Sequence, residues 1–393
     1  MNNDLSEIII HDFLQLLNKL KKEPSKNEYI QIRKDYYLSL QNLVKENSKP
    51  LKNYKFIKSK GRSGAKLAMR NKNTIIKLNK LNPKIDFYKK KDGRLCLKVS
   101  NTFNELLQTL IISRPHLFVN LRSDKTIEKM NEGMKNTLIV NKIYFASIGN
   151  TNYLCIEQPF YGTNINNEYY SDMRDLLVKN IFPRFRNNYK TNDIYDEFDD
   201  LLTNHILKKI HKSLLFYNER FDFVHSDLKL VNVFFKHKTN TSYKELKKLD
   251  IFTDFEVIIA DLDKSRSILK GITILSIPTN KIKKMWALYF PSHQMYYYCD
   301  PKRLEKCNKL IWYDKCIICI SLLNIMATFF DKKEFISLIS NHLPLLKKYI
   351  TKYIIHENIL DKFLNIIYGS KTEILELIYL LILKHCSKYM KKM

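Results

Sequence analysis

The chain has 393 residues, with 67 lysines and arginines against 40 aspartates and glutamates, a formal charge of +27. This length suggests two domains or one large two-lobed unit, and a hydrophobic fraction of 45% suffices to bury a sizeable core. Eight glycines and ten prolines exclude collagen-like and low-complexity architectures; the charge excludes an acidic solvating protein and permits nucleic acid, an anionic membrane surface or an acidic substrate as partner.

Lys, Asn, Ile and Tyr are abundant along the whole chain, while Gly, Ala and Arg are scarce. AT-rich coding produces that bias, so part of the charge is expected to be compositional drift. The seven cysteines are odd in number and scattered, which reads as reduced thiols in the cytoplasm. Cys316 and Cys319 form a C-x-x-C, but inside the apolar run 316–330 and without a second pair at zinc spacing, so a buried helix face is expected. That run falls short of the roughly 18 residues a membrane span needs. No basic, apolar, small-residue leader pattern follows Met1, so neither a signal peptide nor a transmembrane helix is expected.

In chain order, residues 5–20 place Leu5, Ile9, Phe13, Leu16, Leu17 and Leu20 at helical spacing, and 27–46 read as a second helix. Residues 1–50 are thus a helical N-terminal extension. From Lys52 the segments YKFIK, KLAMR and NTIIKL are short and alternating, as strands are. A helix is expected near Asn101–Ser113, then strands at 137–146 and 153–158. From Ser171 helix dominates. Residues 193–217 are the best marked, with Asp193, Asp196, Glu197, Asp199 and Asp200 early and Lys208, Lys209, His211 and Lys212 late, both complementing the helix dipole. Strands return at 231–235 and 257–260, and helix from Tyr313. The expected class is α+β, divided as 1–50, 51–160 and 161–393.

Two segments carry chemistry. Residues 223–235, FVHSDLKLVNVFF, hold His225, Asp227, Lys229 and Asn232 in a polar stretch pinned between apolar flanks. Residues 257–265, VIIADLDKS, place Asp261 after four apolar residues. Phosphoryl transfer needs a carboxylate to orient a hydroxyl and take its proton, an amide and a second carboxylate for Mg²⁺, and a lysine to neutralise the transferring group. Asp227, Asn232, Asp261 and Lys229 are the right types for those tasks.

The spacing H-x-D-x-K-x-x-N resembles the catalytic loop of eukaryotic-type protein kinases, and Asp261-Leu262-Asp263 resembles their metal-binding motif. The resemblance is closest to the divergent serine/threonine kinases of poxviruses and other large DNA viruses, through Asp261-Leu262-Asp263-Lys264-Ser265 and through Trp312-Tyr313-Asp314 opening the apolar run. It covers roughly residues 51–330. It implies a bilobal kinase-like fold, with a small antiparallel-sheet lobe and a larger helical lobe, ATP between them, and Mg²⁺, with Mn²⁺ able to substitute. Asp227, Lys229 and Asn232 would be catalytic, and Asn232 and Asp261 would hold the metal.

The same resemblance places the phosphate loop at SKGRSGAKLAM, with Gly61 and Gly64. The nucleotide-anchoring lysine would be Lys77 in NTIIKL, with Lys98 in RLCLKVS as a rival, and its partner Glu105. Ile156 would lie near the adenine, with the backbone at Glu157 and nearby bonding the adenine edge. In that family Asp314 would start the buried helix and bond back to the catalytic loop.

Departures are visible. Ser226 stands where many members carry the Arg that receives an activation phosphate, which implies activity without such phosphorylation. Asp263 replaces a Gly, no Ala-Pro-Glu occurs in 280–310, and the interval 236–256 is long. The expected activity is transfer of the γ-phosphate of ATP to Ser or Thr of protein substrates, acidic ones suiting the charge. Nucleic acid or an anionic membrane surface is a permitted partner that the activity does not require. One rival is a small-molecule phosphotransferase of the aminoglycoside/choline kinase type, which usually lacks the lysine at position 229. The other is a catalytically silent basic scaffold.

Overall fold

The computed structural model describes residues 5–57, 66–71, 74–80, 85–89, 93, 95–118, 124–135, 140–159, 163–165, 168–170, 172–188, 192–237, 255–276 and 310–353. The chain is α+β. Its first part runs α1 (Leu5–Lys21), α2 (Lys26–Asn47), β1 (Lys49–Pro50), β2 (Lys55–Ile57), β3 (Lys66–Asn71), β4 (Thr74–Lys80), β5 (Ile85–Lys89), β6 (Leu95–Val99), α3 (Asn101–Ser113), α4 (Asp124–Lys135), β7 (Lys142–Ile148) and β8 (Thr151–Pro159). Then come β9 (Thr163–Ile165), β10 (Glu168–Tyr170), α5 (Met173–Leu176), α6 (Phe182–Asn188), α7 (Asn192–Asp200), α8 (Lys208–Phe221), β11 (Val233–His237), β12 (Phe255–Ile259), β13 (Ser267–Leu269), β14 (Ile272–Ser276), α9 (Leu310–Phe329), α10 (Lys332–Ser337) and α11 (Pro344–Tyr353).

Two compact units form. The first comprises Met1–Phe160, Glu219–Phe223 and Asp261–Ile277. Residues 5–47 are therefore part of it. It holds a six-stranded sheet in the order β1-β7-β8-β4-β3-β2, antiparallel except for β1 on β7. A four-stranded sheet, β13-β14-β6-β5, pairs β14 parallel to β6. This pairing explains why residues after Asp261 belong here and not with the stretch that precedes them.

Helix α3 is buried at every residue from 103 to 112, the mark of a helix enclosed on all sides. Helix α1 turns Ile9, Ile10, Phe13, Leu16, Leu17 and Leu20 inward at the spacing read from the sequence. Helix α2 starts with a capping box, Ser25 accepting from Glu28 N–H while the Glu28 carboxylate accepts from Ser25 N–H. Its Tyr29 and Tyr37 hydroxyls accept from Phe87 N–H (2.9 Å) and Ile85 N–H (2.7 Å), covering backbone donors of the edge strand β5.

The second unit comprises Tyr161–Asn218, Val224–Ala260 and Pro278–Met393. The helix expected at 193–217 extends from α7 through a π-helical stretch, Leu201–Leu207, into α8. Asp199, buried at that junction, accepts from Leu345 N–H (2.6 Å) and Leu346 N–H (2.7 Å) at the start of α11. Phe182, Phe185, Phe198 and Phe330 form an aromatic core, with Phe185 stacked on Phe198 at 4.0 Å. In α9, Ile318, Cys319, Leu322, Leu323, Ile325 and Met326 are buried. Among the described residues, no helix is long and apolar enough to cross a membrane.

Two strand expectations shift. The strand expected at 137–146 is β7, beginning at Lys142. The strand expected at 231–235 begins at Val233, because Asn232 N–H closes a tight turn on Lys229 O at 2.9 Å and takes Leu230 and Val231 into a 3₁₀ turn.

Candidate active site

Among the described residues, the site residues expected from the sequence gather in two polar constellations, one in each unit. In the first unit, Lys77 sits on β4 opposite Ile156 of β8, and Asn79 lies on the same face two residues later. The Lys77 ammonium bonds the Glu105 carboxylate of α3 and reaches Asp261 Oδ1 at 3.2 Å. Asn79 Nδ2 donates to Glu105 Oε2 at 3.4 Å. Asp263 is paired with its neighbour Lys264.

Burial alone would pull the Lys77 pKa down. Glu105, Asp261 and Asp263 outweigh it and raise the pKa, so the ammonium is a fixed positive charge at neutral pH. Burial pushes Asp263 up, and Asp261 adds to it. Burial pushes Glu105 up as well, against the pull of Lys77. Among these, Lys77 and Glu105 are 14% and 6% exposed, whereas Asp261 is 38% exposed, so Asp261 is the carboxylate that solvent or a ligand can reach.

Asp261 adopts φ +65°, a left-handed conformation uncommon outside glycine. The turn is held from α3, where Asn104 Nδ2 donates to both Asp263 O (3.0 Å) and Ser265 O (2.7 Å), with Gln108 Nε2 donating to Asn104 Oδ1 at 3.3 Å. Such strain persists only where the surroundings over-determine it.

The rival Lys98 lies on β6, opposite Asp86, with its ammonium 4.7 Å from the centre of the Tyr88 ring. The structure brings Lys77, and not Lys98, to Glu105. Ile156 is buried directly opposite Lys77. Glu157 follows Ile156 on β8, opposite Ile76. Its carbonyl accepts from Asn141 N–H at 2.8 Å, its carboxylate meets Arg70 at 3.3 Å, and β8 is flanked on both sides, so that carbonyl is committed to the sheet. Gly61 and Gly64 lie outside the described residues, as do 280–309 and most of 236–256.

In the second unit, the loop 224–232 carries the other constellation. Ser226 is left-handed, at φ +65°. Asp314 of α9 secures this turn by accepting from His225 N–H (2.7 Å) and Ser226 N–H (3.0 Å). Two helical turns later on the same face, Ser321 Oγ accepts from Leu230 N–H at 3.1 Å. His225 Nδ1 accepts from Asp227 N–H at 3.3 Å, which leaves Nε2 to carry the proton it donates to Ala260 O at 2.9 Å. His225 is thus a structural link.

Asp227 is buried, with Lys229 Nζ 2.7 Å from its Oδ1. Asn232 Nδ2 donates to Asp227 O at 2.8 Å, and Asn232 O accepts from Ala260 N–H at 3.0 Å. A carboxylate, an ammonium and an amide therefore converge on one short loop. They can take a proton from a hydroxyl, neutralise an anionic group and supply an oxygen donor.

Sequence reasoning missed Asn79, Asn104 and Ser321. The signal was present for two of them. Asn104 and Gln108 form an i, i+4 pair of buried amides beside Glu105 in α3, and Ser321 follows Asp314 by seven residues in α9. Among the described residues, no group of three or more His, Cys, Asp or Glu side chains is disposed to hold a metal. A scan against protein-family models and a search of curated proteins found no match to this chain.

Burial pushes the Asp314 carboxyl up to about 6, with Asp227 adding and the two backbone N–H bonds opposing. The folded pKa therefore exceeds the unfolded value. The resulting stabilisation is complete below about pH 4 and is lost as pH rises through about 6, an effect on the order of 3 kcal/mol. Urea unfolding of the native chain and of Asp314→Asn between pH 4 and 7 checks it. The native chain should lose stability relative to the variant as pH rises, and a gain would contradict the assignment.

Proposed function

We propose that the chain is an ATP- and Mg²⁺-dependent protein kinase of bilobal kinase-like fold that transfers the γ-phosphate to Ser or Thr hydroxyls of protein substrates. The observation that carries this reading is the Lys77–Glu105–Asp261 cluster. Glu105, expected to pair with that lysine, and Asp261, expected to hold the metal, both lie within ion-pair distance of Lys77, although they are 28 and 184 positions from it in the chain. No local preference of the sequence would bring them together.

The roles follow from the chemistry of each group. Asp227 accepts the acceptor hydroxyl's proton, and Lys229, beside it, offsets charge on the transferring group. Lys77, held cationic by its carboxylates, binds the nucleotide's α/β-phosphates, and Glu105 fixes where that ammonium points. In the first unit the accessible carboxylate of Asp261 is of a type to bind a divalent cation, and in the second unit Asn232 is an amide of the type expected for that task. Mg²⁺ commonly takes only one or two protein oxygens together with phosphate oxygens, so a ready-made cage of carboxylates is not required. When bound, it supplies positive charge to the phosphate oxygens.

The lysine at 229 favours protein substrates over the small-molecule phosphotransferase reading, and acidic acceptors suit the charge of +27. Ser265, Ser267, Thr273 and Ser276 are all buried, and β13 and β14 are already paired into a sheet. This supports activity that needs no phosphate on those residues.

The deciding experiment incubates purified protein with labelled ATP·Mg²⁺ and, in parallel, mixed protein acceptors or aminoglycoside and choline. Label should enter Ser and Thr of protein, and Asp227→Asn should lower the rate by about 10²–10⁴-fold, the range for loss of a general base. Label in the small molecules alone would establish the other phosphotransferase, and no transfer with any divalent metal would overturn the reading. Lys77→Met should abolish transfer, while Lys98→Met should retain most of it; the reverse outcome would reassign the anchoring lysine. Phosphatase-treated protein carrying Ala at 265, 267, 273, 276 and 279, the last outside the described residues, should keep its rate within a fewfold if it remains folded by circular dichroism.

A further inference from the structure

Helix α3 advances about 100° per residue, so three successive side chains point in three directions. Phe103 meets Phe13 of α1 (6.2 Å, 74°) and Tyr36 of α2 (6.2 Å, 66°), both edge-on. Asn104 grips the carbonyls of Asp263 and Ser265. Glu105 takes the Lys77 ammonium. Phe13 and Phe103 are fully buried and Tyr36 nearly so. A rotation of α3 that carried Glu105 away from Lys77 would also pull Phe103 out from its two rings.

The same helical pair reaches the second sheet. The Tyr29 and Tyr37 hydroxyls accept from β5, Lys89 pairs with Glu23, and Lys270, in the β13–β14 turn, donates to Asn18 at 2.7 Å. Ser39 Oγ, donating to Asp12 at 3.1 Å, ties α1 to α2. Glu105 therefore hangs from a helix that Phe13 and Tyr36 contact directly, and the turn after Asp261 is tied to that same helix through Asn104.

We propose that residues 5–47 are a built-in brace that sets the rotation of α3 through Phe13, Tyr36 and Phe103, and so keeps Glu105 on Lys77. Phe13, Tyr36 and Phe103 are positioning residues. They touch no reacting atom and act through Glu105. What the held pair accomplishes rests on the phosphotransfer reading; the brace itself does not.

The test uses the full chain with Phe13→Ala, and Phe13→Leu as a milder variant should the first not fold. Hydrogen exchange read by mass spectrometry should show α3 amides exchanging at least tenfold faster, with β8 still protected. Transfer should fall at least tenfold in Phe13→Ala, whereas in a Glu105→Gln background the same substitution should change it less than twofold, as expected when one residue acts only through the other. Unchanged α3 exchange, exchange rising equally across the first unit, or losses that multiply in the double variant would each overturn the brace. If the native chain transfers no phosphate, the exchange measurement decides alone: selective loosening of α3 upholds the brace while the phosphotransfer reading falls separately.

Discussion

A lysine buried to 14% exposure inside a sheet would be strongly destabilising unless carboxylates surrounded it. Lys77 meets that demand with Glu105 and Asp261, and much of the first unit is arranged to deliver them. Removing one partner of a buried pair costs about 3–5 kcal/mol, because the remaining charge is left without compensation. The cluster therefore constrains the strand, the helix and the left-handed turn together. Helix α3 contributes through two adjacent polar side chains, Asn104 toward the turn and Glu105 toward the strand.

The second constellation obeys the same logic with backbone groups in place of a buried cation. The loop 224–232 has few bonds within a regular ladder, so its N–H donors need other acceptors. Asp314 and Ser321 supply three of them from a single face of α9. That explains why a helix otherwise so apolar carries these polar residues. It also explains the raised pKa of Asp314, since a carboxylate placed to accept from buried amides loses hydration itself. Both constellations include a non-glycine residue at φ +65°, Asp261 in one and Ser226 in the other. Backbone strain of this kind collects at functional positions.

The sequence made much of this legible. The apolar spacing of α1, the helix at Asn101–Ser113 and the alternating segments of the six-stranded sheet were all readable, because they depend on periodicities of 3.6 and 2 residues. The clustering of Asp227, Lys229 and Asn232 was readable because it lies within six consecutive positions. The start of β11 was not, because a tertiary contact to Ser321 and a tight turn at Asn232 override the β preference of Val231. Lys98 was a rival to Lys77 because each follows a short apolar run; position along the chain favoured Lys77, and the strand pairing places Lys77 and Lys98 in different sheets.

From the sequence alone came the residue types, their local spacing and the α+β class, because these follow from propensity and pattern along the chain. Tertiary structure decided which lysine faces Glu105, that the Glu157 carbonyl is committed to the sheet, and that residues 5–47 grip α3. It also decided that residues after Asp261 return to the first unit by pairing β14 with β6. Each of these is a contact between segments far apart in the chain, and such contacts are fixed by packing and charge compensation in three dimensions, which no local pattern encodes.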